Sequence, residues 1–145
     1  MPLSLDATSH ILIVDDEPLH RRLISLMLNR AGYTVETAQN GREALVKIRM
    51  NRPATIILDL EMPELSGLDL LAKMAEDPML TTIPTIVVSA NADKPEARKA
   101  LAHYYTFVDV IQKPFLQMHL LERVRQAQQP KRVERNGFSH RKDEL

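Results

Sequence analysis

The chain has 145 residues, 44% of them hydrophobic, with 19 Lys and Arg against 19 Asp and Glu and no cysteine. At about 100 to 200 residues per domain this is one domain with a short tail, and its apolar content excludes collagen-like or wholly disordered chains. Zero net charge excludes a global field toward nucleic acid or an anionic membrane. The missing thiols exclude disulfides, thiolate metal sites and cysteine nucleophiles, as is usual in a reducing compartment.

In chain order, Ile11-Leu12-Ile13-Val14 is an uninterrupted apolar run, the pattern of a strand buried on both faces. Pro18 then fits a first helical turn, Leu19, Leu23 and Met27 make an apolar stripe, and Gly32 is the stop. Tyr33-Thr34-Val35-Glu36-Thr37 alternates instead, as an edge strand with one exposed face does. Asn40 and Gly41 punctuate before a helix carrying Ala44, Leu45 and Ile48, with Pro53 beyond it. Ile56-Ile57-Leu58 and Ile86-Val87-Val88 repeat the buried-strand pattern, and Phe107-Val108-Asp109-Val110-Ile111 is a weaker version. Ser66 with Asp69, and Asp93 with Glu96, have the spacing of a capping box. The last helix runs from about Leu116 through Leu120, Leu121 and Val124.

Strand and helix thus alternate five times within residues 10–127, which predicts a doubly wound α/β domain with a parallel sheet covered on both faces. Residues 1–9 are then an N-terminal extension and 128–145 a polar tail or linker stub. No apolar run reaches the about 20 residues of a membrane helix, and no basic-then-apolar leader opens the chain, so a cytoplasmic protein is expected. The terminal Lys142-Asp143-Glu144-Leu145 spells a lumenal retrieval address, a coincidence in a chain with nothing to carry it into the lumen.

Ligands of open parallel sheets sit beyond the carboxyl ends of the strands. There the first run ends in Asp15, Asp16 and Glu17, the third in Asp59, the fourth in Ser89 and Ala90, and the fifth is followed by Lys113-Pro114. Each has a structural reading alone: Asp15 or Glu17 as a helix cap, Asp59 as a loop opener, Ser89 as a small strand end, Lys113 as a solvated side chain. Together, carboxylates that repel one another need a cation to offset them, which points to a Mg²⁺ site with oxygen ligands.

The ordered segments Ile11-Leu12-Ile13-Val14-Asp15-Asp16-Glu17-Pro18, Ile56 through Gly67, Val87-Val88-Ser89-Ala90 and Lys113-Pro114-Phe115 closely resemble the receiver domain of two-component response regulators, over about residues 10–127. The resemblance implies a flavodoxin-like (βα)5 domain with sheet order 2-1-3-4-5, in which the alternating second strand suits an edge. It implies Asp59 as phosphoacceptor, taking a phosphoryl group from the phosphohistidine of a histidine kinase or histidine phosphotransfer protein. It implies Mg²⁺ held by Asp16, Asp59 and the backbone carbonyl of Glu61, with Asp15 acting through metal-bound water. Lys113, the Ser89 hydroxyl and the Ala90 backbone N–H would bind the phosphoryl oxygens, Met62-Pro63 and Gly67 would shape the loop beside Asp59, and Lys113-Pro114 would be cis.

Such a domain is a switch on protein interactions rather than an enzyme, with a downstream protein target. A homodimer through the fourth helix, fifth strand and fifth helix is a further option, and nucleic acid enters only through an output domain outside this chain. One position departs from the pattern: Val110 stands where the family carries an aromatic, which leaves Tyr105 or Phe107 to transmit the switch, unless both serve packing. Glu61 and Asn91 fall where the family varies and where the acyl phosphate lifetime is tuned. His10, His20, His103, His119 and His140 are scattered and carry no role, although His20 is nearest the rim.

Three alternatives compete. A degenerate receiver would bind partners without phosphorylation. A haloacid-dehalogenase-like phosphatase wants a second Asp where Glu61 stands and a cap-sized insertion. A flavodoxin-type flavin module wants a Gly/Ser/Thr-rich phosphate loop where Asp15-Asp16-Glu17 would repel phosphate.

Overall fold

A computed structural model describes residues 10–62 and 64–129. Five parallel strands, β1 (His10–Val14), β2 (Thr34–Ala38), β3 (Thr55–Asp59), β4 (Thr85–Ser89) and β5 (Val108–Gln112), form one sheet in the order β2-β1-β3-β4-β5. Helices α1 (Pro18–Arg30), α2 (Gly41–Met50), α3 (Gly67–Ala75), α4 (Pro95–Leu101) and α5 (Gln117–Gln128) make the crossovers and the closing element. This is the doubly wound flavodoxin-like fold with the expected strand order.

Side chains alternate across a strand, and here the alternation divides one core into two. Leu12, Val14, Ile56, Leu58 and Val87 pack with Ala44 and Ile48 of α2, Leu70, Leu71 and Met74 of α3, and Leu101 of α4. Ile11, Ile13, Ile57, Ile86 and Val88 pack on the other face with Ile24 and Leu28 of α1 and Leu120 and Val124 of α5. The central runs are therefore apolar at every position, because both faces are covered. β2 and β5 are edges, with Thr34, Asp109 and Gln112 exposed.

The helices stop and start largely where their punctuation falls. Gly32 (φ 100°) ends α1, and the N–H of Tyr33 bonds back to the Leu28 carbonyl at 3.0 Å. Asn40 caps α2 by accepting from the N–H of Glu43 at 2.8 Å. Ser66 and Asp69 form the capping box at the start of α3, each side chain accepting from the other's backbone N–H at 3.2 and 3.1 Å.

Three expectations are corrected. The buried stripe of α1 is Ile24 and Leu28 with Met27 at its margin, while Leu19 and Leu23 are 60% and 54% exposed. The helix carries apolar residues around more than one face, so spacing alone could not say which face the sheet would take. Asp93 and Glu96 make no capping box, because α4 starts at Pro95 with Lys94 before it and no side-chain cap. Phe107 precedes β5 and is buried in the core on the α2/α3 side, its carbonyl accepting from the N–H of Thr85 at 2.8 Å. The proposed extension 1–9 and the tail from 130 onward lie outside the described residues; α5 itself reaches Gln128, whose side-chain amide donates to Thr55 Oγ1 at 2.7 Å.

Candidate functional site

The register sets the carboxyl ends of the strands level: Val14 pairs with Leu58, Asp59 with Val88, and Ser89 with Gln112. Residues following β1 and ending β3 are thereby neighbours, although more than 40 positions apart in sequence. Carboxylate oxygens of Asp15, Asp16 and Asp59 lie within 4.8 Å of one another, with Asp15 and Asp59 buried and Asp16 exposed.

Asp15 is anchored on several sides. Its N–H donates to the Ala38 carbonyl at 3.1 Å, its Oδ1 accepts from the N–H of Glu17 at 2.9 Å, and its carbonyl accepts from the Arg21 guanidinium at 2.7 Å. Glu17, read as a candidate cap, supplies no side-chain cap to α1. His20, nearest the rim in the sequence, reaches the same carboxylate from the surface of α1, Nδ1 to Oδ2 at 3.6 Å.

Asp59 is 5% exposed, and its Oδ1 is buried without a hydrogen-bond partner. Lys113 Nζ stands 3.7 Å from that oxygen, close enough to attract but too long for a hydrogen bond. Burial pushes the Asp59 carboxyl up to about 6, Lys113 pulls it down, and the negative charges of Asp15 and Glu61 push it up further. Three converging carboxylates and an orphaned buried oxygen are the donor set that a hard divalent cation takes.

On the other side of Asp59, Ser89 is fully buried at the end of β4. Its hydroxyl donates to Glu61 Oε2 at 2.8 Å and accepts from the N–H of Asn91 at 3.0 Å, while the Asn91 side-chain amide reaches the same Glu61 oxygen at 3.3 Å. The Ala90 carbonyl accepts from the Gln112 side chain at 2.7 Å, and the N–H of Lys113 bonds to the Ser89 carbonyl at 2.9 Å. Those two bonds tie the Lys113 loop to the end of β4. Gly67 closes the loop after Asp59: a Cβ there would meet the Asp59 carbonyl oxygen at 2.6 Å and Leu60 Cα at 2.7 Å, so only glycine fits. An open groove of about 640 Å³ leads from Asp15 and Lys113 along Leu23, Met27 and Phe115.

The family described as the response regulator receiver domain matches residues 11–125. The chain belongs to that family. A protein-glutamate methylesterase/protein-glutamine glutaminase of Anaeromyxobacter dehalogenans is 44% identical over 109 residues, which are 73% of this chain and 30% of that protein. The uncharacterized 14.6 kDa protein in the sodA1 3′ region of Leptolyngbya boryana is 34% identical over 83% of this chain and 90% of its own length. Among solved structures, the response regulator TrrA of Thermotoga maritima in complex with Mg²⁺–BeF superposes with TM-score 0.71 at 32% identity, covering 82% of this chain and 98% of that one. The chain spans less than a third of the length of several curated relatives that it matches.

In this receiver the fold brings Asp15, Asp16, Asp59, Ser89 and Lys113 to one rim. Glu61 joins them with its side chain as well as its backbone, and its grip on Ser89 and Asn91 could not be read from the sequence. The only signal was that both flanking residues stand two positions after a site residue. Met62 is buried beside the loop, Pro63 lies outside the described residues, and Lys113-Pro114 is cis. Val110 packs half-buried on the α2/α3 side of the sheet; Phe107 is buried there edge-on to Tyr104 at 6.2 Å, and Tyr105 is 77% exposed. Among the described residues no helix is long and apolar enough to cross a membrane.

Proposed function

We propose that this receiver accepts a phosphoryl group on Asp59 and thereby switches its protein contacts. The observation that carries the reading is the cluster of Asp15, Asp16 and Asp59 within 4.8 Å, with Lys113 beside the unbonded Asp59 oxygen. The donor is the phosphohistidine of a histidine kinase or histidine phosphotransfer protein. A carboxylate oxygen of Asp59 forms the bond to phosphorus as the phosphorus–nitrogen bond breaks, and the electron pair leaves on the imidazole nitrogen, which takes a proton from solvent.

Asp15, Asp16, Asp59 and the Glu61 carbonyl would hold Mg²⁺. When bound, the ion offsets repulsion between the attacking carboxylate and the phosphoryl oxygens. Lys113 shifts its attraction from Asp59 to a phosphoryl oxygen, the Ser89 hydroxyl donates to another, and the Ala90 N–H supports the same group. Added charge and acceptors at this point draw the β4–α4 segment toward the site, which is the switch. With Val110 in β5, transmission runs through the packing of that strand and not through an aromatic at that position. The domain is regulatory, and its activity is limited to gaining and losing its own phosphoryl group.

Intact-mass measurement with acetyl phosphate tests this. One phosphoryl adduct is expected on the wild type with Mg²⁺, and none on Asp59→Asn or with metal chelated. An adduct that persists in Asp59→Asn would place the acceptor elsewhere, and no adduct together with no beryllofluoride binding would favour a receiver that works unphosphorylated.

A further inference from the structure

The Ser89 hydroxyl has one proton, and in this structure that proton is committed to the carboxylate of Glu61. The same carboxylate oxygen also takes the Asn91 side-chain amide, and the Asn91 N–H fills an acceptor position on Ser89. An anionic oxygen is thus already seated on the donors at the end of β4. A phosphoryl oxygen on Asp59 would need the proton that Glu61 holds, and two acceptors cannot share it at full strength.

Resting on the phosphoacceptor reading above, we infer that Glu61 is an internal stand-in for the phosphoryl group. It holds Ser89 and Asn91 in the unphosphorylated arrangement and must leave before the switch can close. Glu61 is exposed, so it can swing into water and be solvated there, which keeps the exchange reversible. Its side chain is a positioning group that acts through the Ser89 hydroxyl, while its backbone N–H, which these substitutions leave in place, bonds the Asp59 carboxylate. Its effect on phosphoryl binding therefore depends on Ser89, unlike simple repulsion between two anions, which does not.

That dependence gives the test. Affinity for beryllofluoride in the presence of Mg²⁺, read by fluorine NMR, is compared in wild type, Glu61→Ala, Ser89→Ala and the double variant. Glu61→Ala should bind about tenfold tighter than wild type, the size expected for a freed charge-assisted hydrogen bond. In the Ser89→Ala background the same change should have less than about a twofold effect. Equal gains in both backgrounds would overturn the inference, leaving repulsion alone, and so would no gain in the single variant.

A second readout needs neither metal nor ligand. In chelated protein the Asn91 side-chain amide signals should move toward those of a free amide in Glu61→Ala and stay near their wild-type positions in Glu61→Gln, which keeps an acceptor oxygen. Unmoved Asn91 signals in Glu61→Ala would refute the contact on which the inference stands. A wild type that takes no beryllofluoride would refute the phosphoacceptor reading instead, and the amide signals would still decide whether the clasp exists.

Discussion

Burial and the charges of Asp15 and Glu61 hold the Asp59 carboxyl at about 6, above its ordinary 3.8, with Lys113 opposing them. Below about pH 4 the group is protonated in the folded and unfolded chain alike and costs nothing; above about pH 6 the folded chain carries a charge that the unfolded chain solvates better. Metal-free wild type should therefore lose on the order of 2 kcal/mol relative to Asp59→Asn as pH rises through that window. Urea midpoints of the two proteins at a series of pH values check it, and parallel curves would refute it. Lys113→Ala removes the larger of the two attractions on that carboxylate, leaving the backbone N–H of Glu61, so the metal-free variant should be less stable than wild type at pH 7. It should still gain a phosphoryl adduct, but the amide shifts of β4 and α4 that accompany the adduct in wild type should be missing. The five principal site residues were legible because each ends or follows an apolar run, and strand ends define a rim. The Glu61 clasp was not legible, because it depends on how the side chain of one loop residue turns toward Ser89 at a strand end and Asn91 beyond it.

Among the elements, the β3–α3 connection is the most constrained. Gly67→Ala would drive a methyl group into the Asp59 carbonyl, with backbone on both near sides, so a loss of about 2 kcal/mol or more is expected in chemical denaturation. Ser66→Ala should cost about 1 kcal/mol, since it removes one half of the capping box next door. Glu64 stands in the same connection at φ 60°, a conformation that side chains adopt reluctantly. The capping residues of α2 and α3 could be recognised because Asn and Ser at those places have a backbone partner three residues on. In α1, apolar residues on several faces concealed the buried one. That correction is measurable: Ile24→Ala should lose about 2 to 4 kcal/mol, whereas Leu23→Ala should stay within about 0.5 kcal/mol of wild type. Comparable losses in both would return Leu23 to the core.

At the scale of the molecule, the parallel sheet with covered faces followed from uninterrupted apolar runs, since only burial on both sides permits them. The strand order did not follow from periodicity, which says that a strand is central or marginal but not which strand lies beside it. Alternation marked β2 as an edge; β5 is an edge too, yet its sequence is less regular, because Val110 and Ile111 still pack against the two cores. Mg²⁺ that binds only the folded sheet should raise thermal stability by about 1.4 kcal/mol at ten times its dissociation constant. Melting curves with and without Mg²⁺ should show that gain in wild type and a much smaller one in Asp16→Ala. The adjacency of β1 and β3 has a consequence for synthesis. All three acidic residues are present once the ribosome has delivered position 59, but the lysine that faces them comes 54 residues later, after two more crossovers. A nascent chain that pairs its first strands early must bring like charges together with Arg21 beside Asp15 but no cation yet facing Asp59, so the phosphoacceptor gains its own counter-charge only when the final strand has arrived.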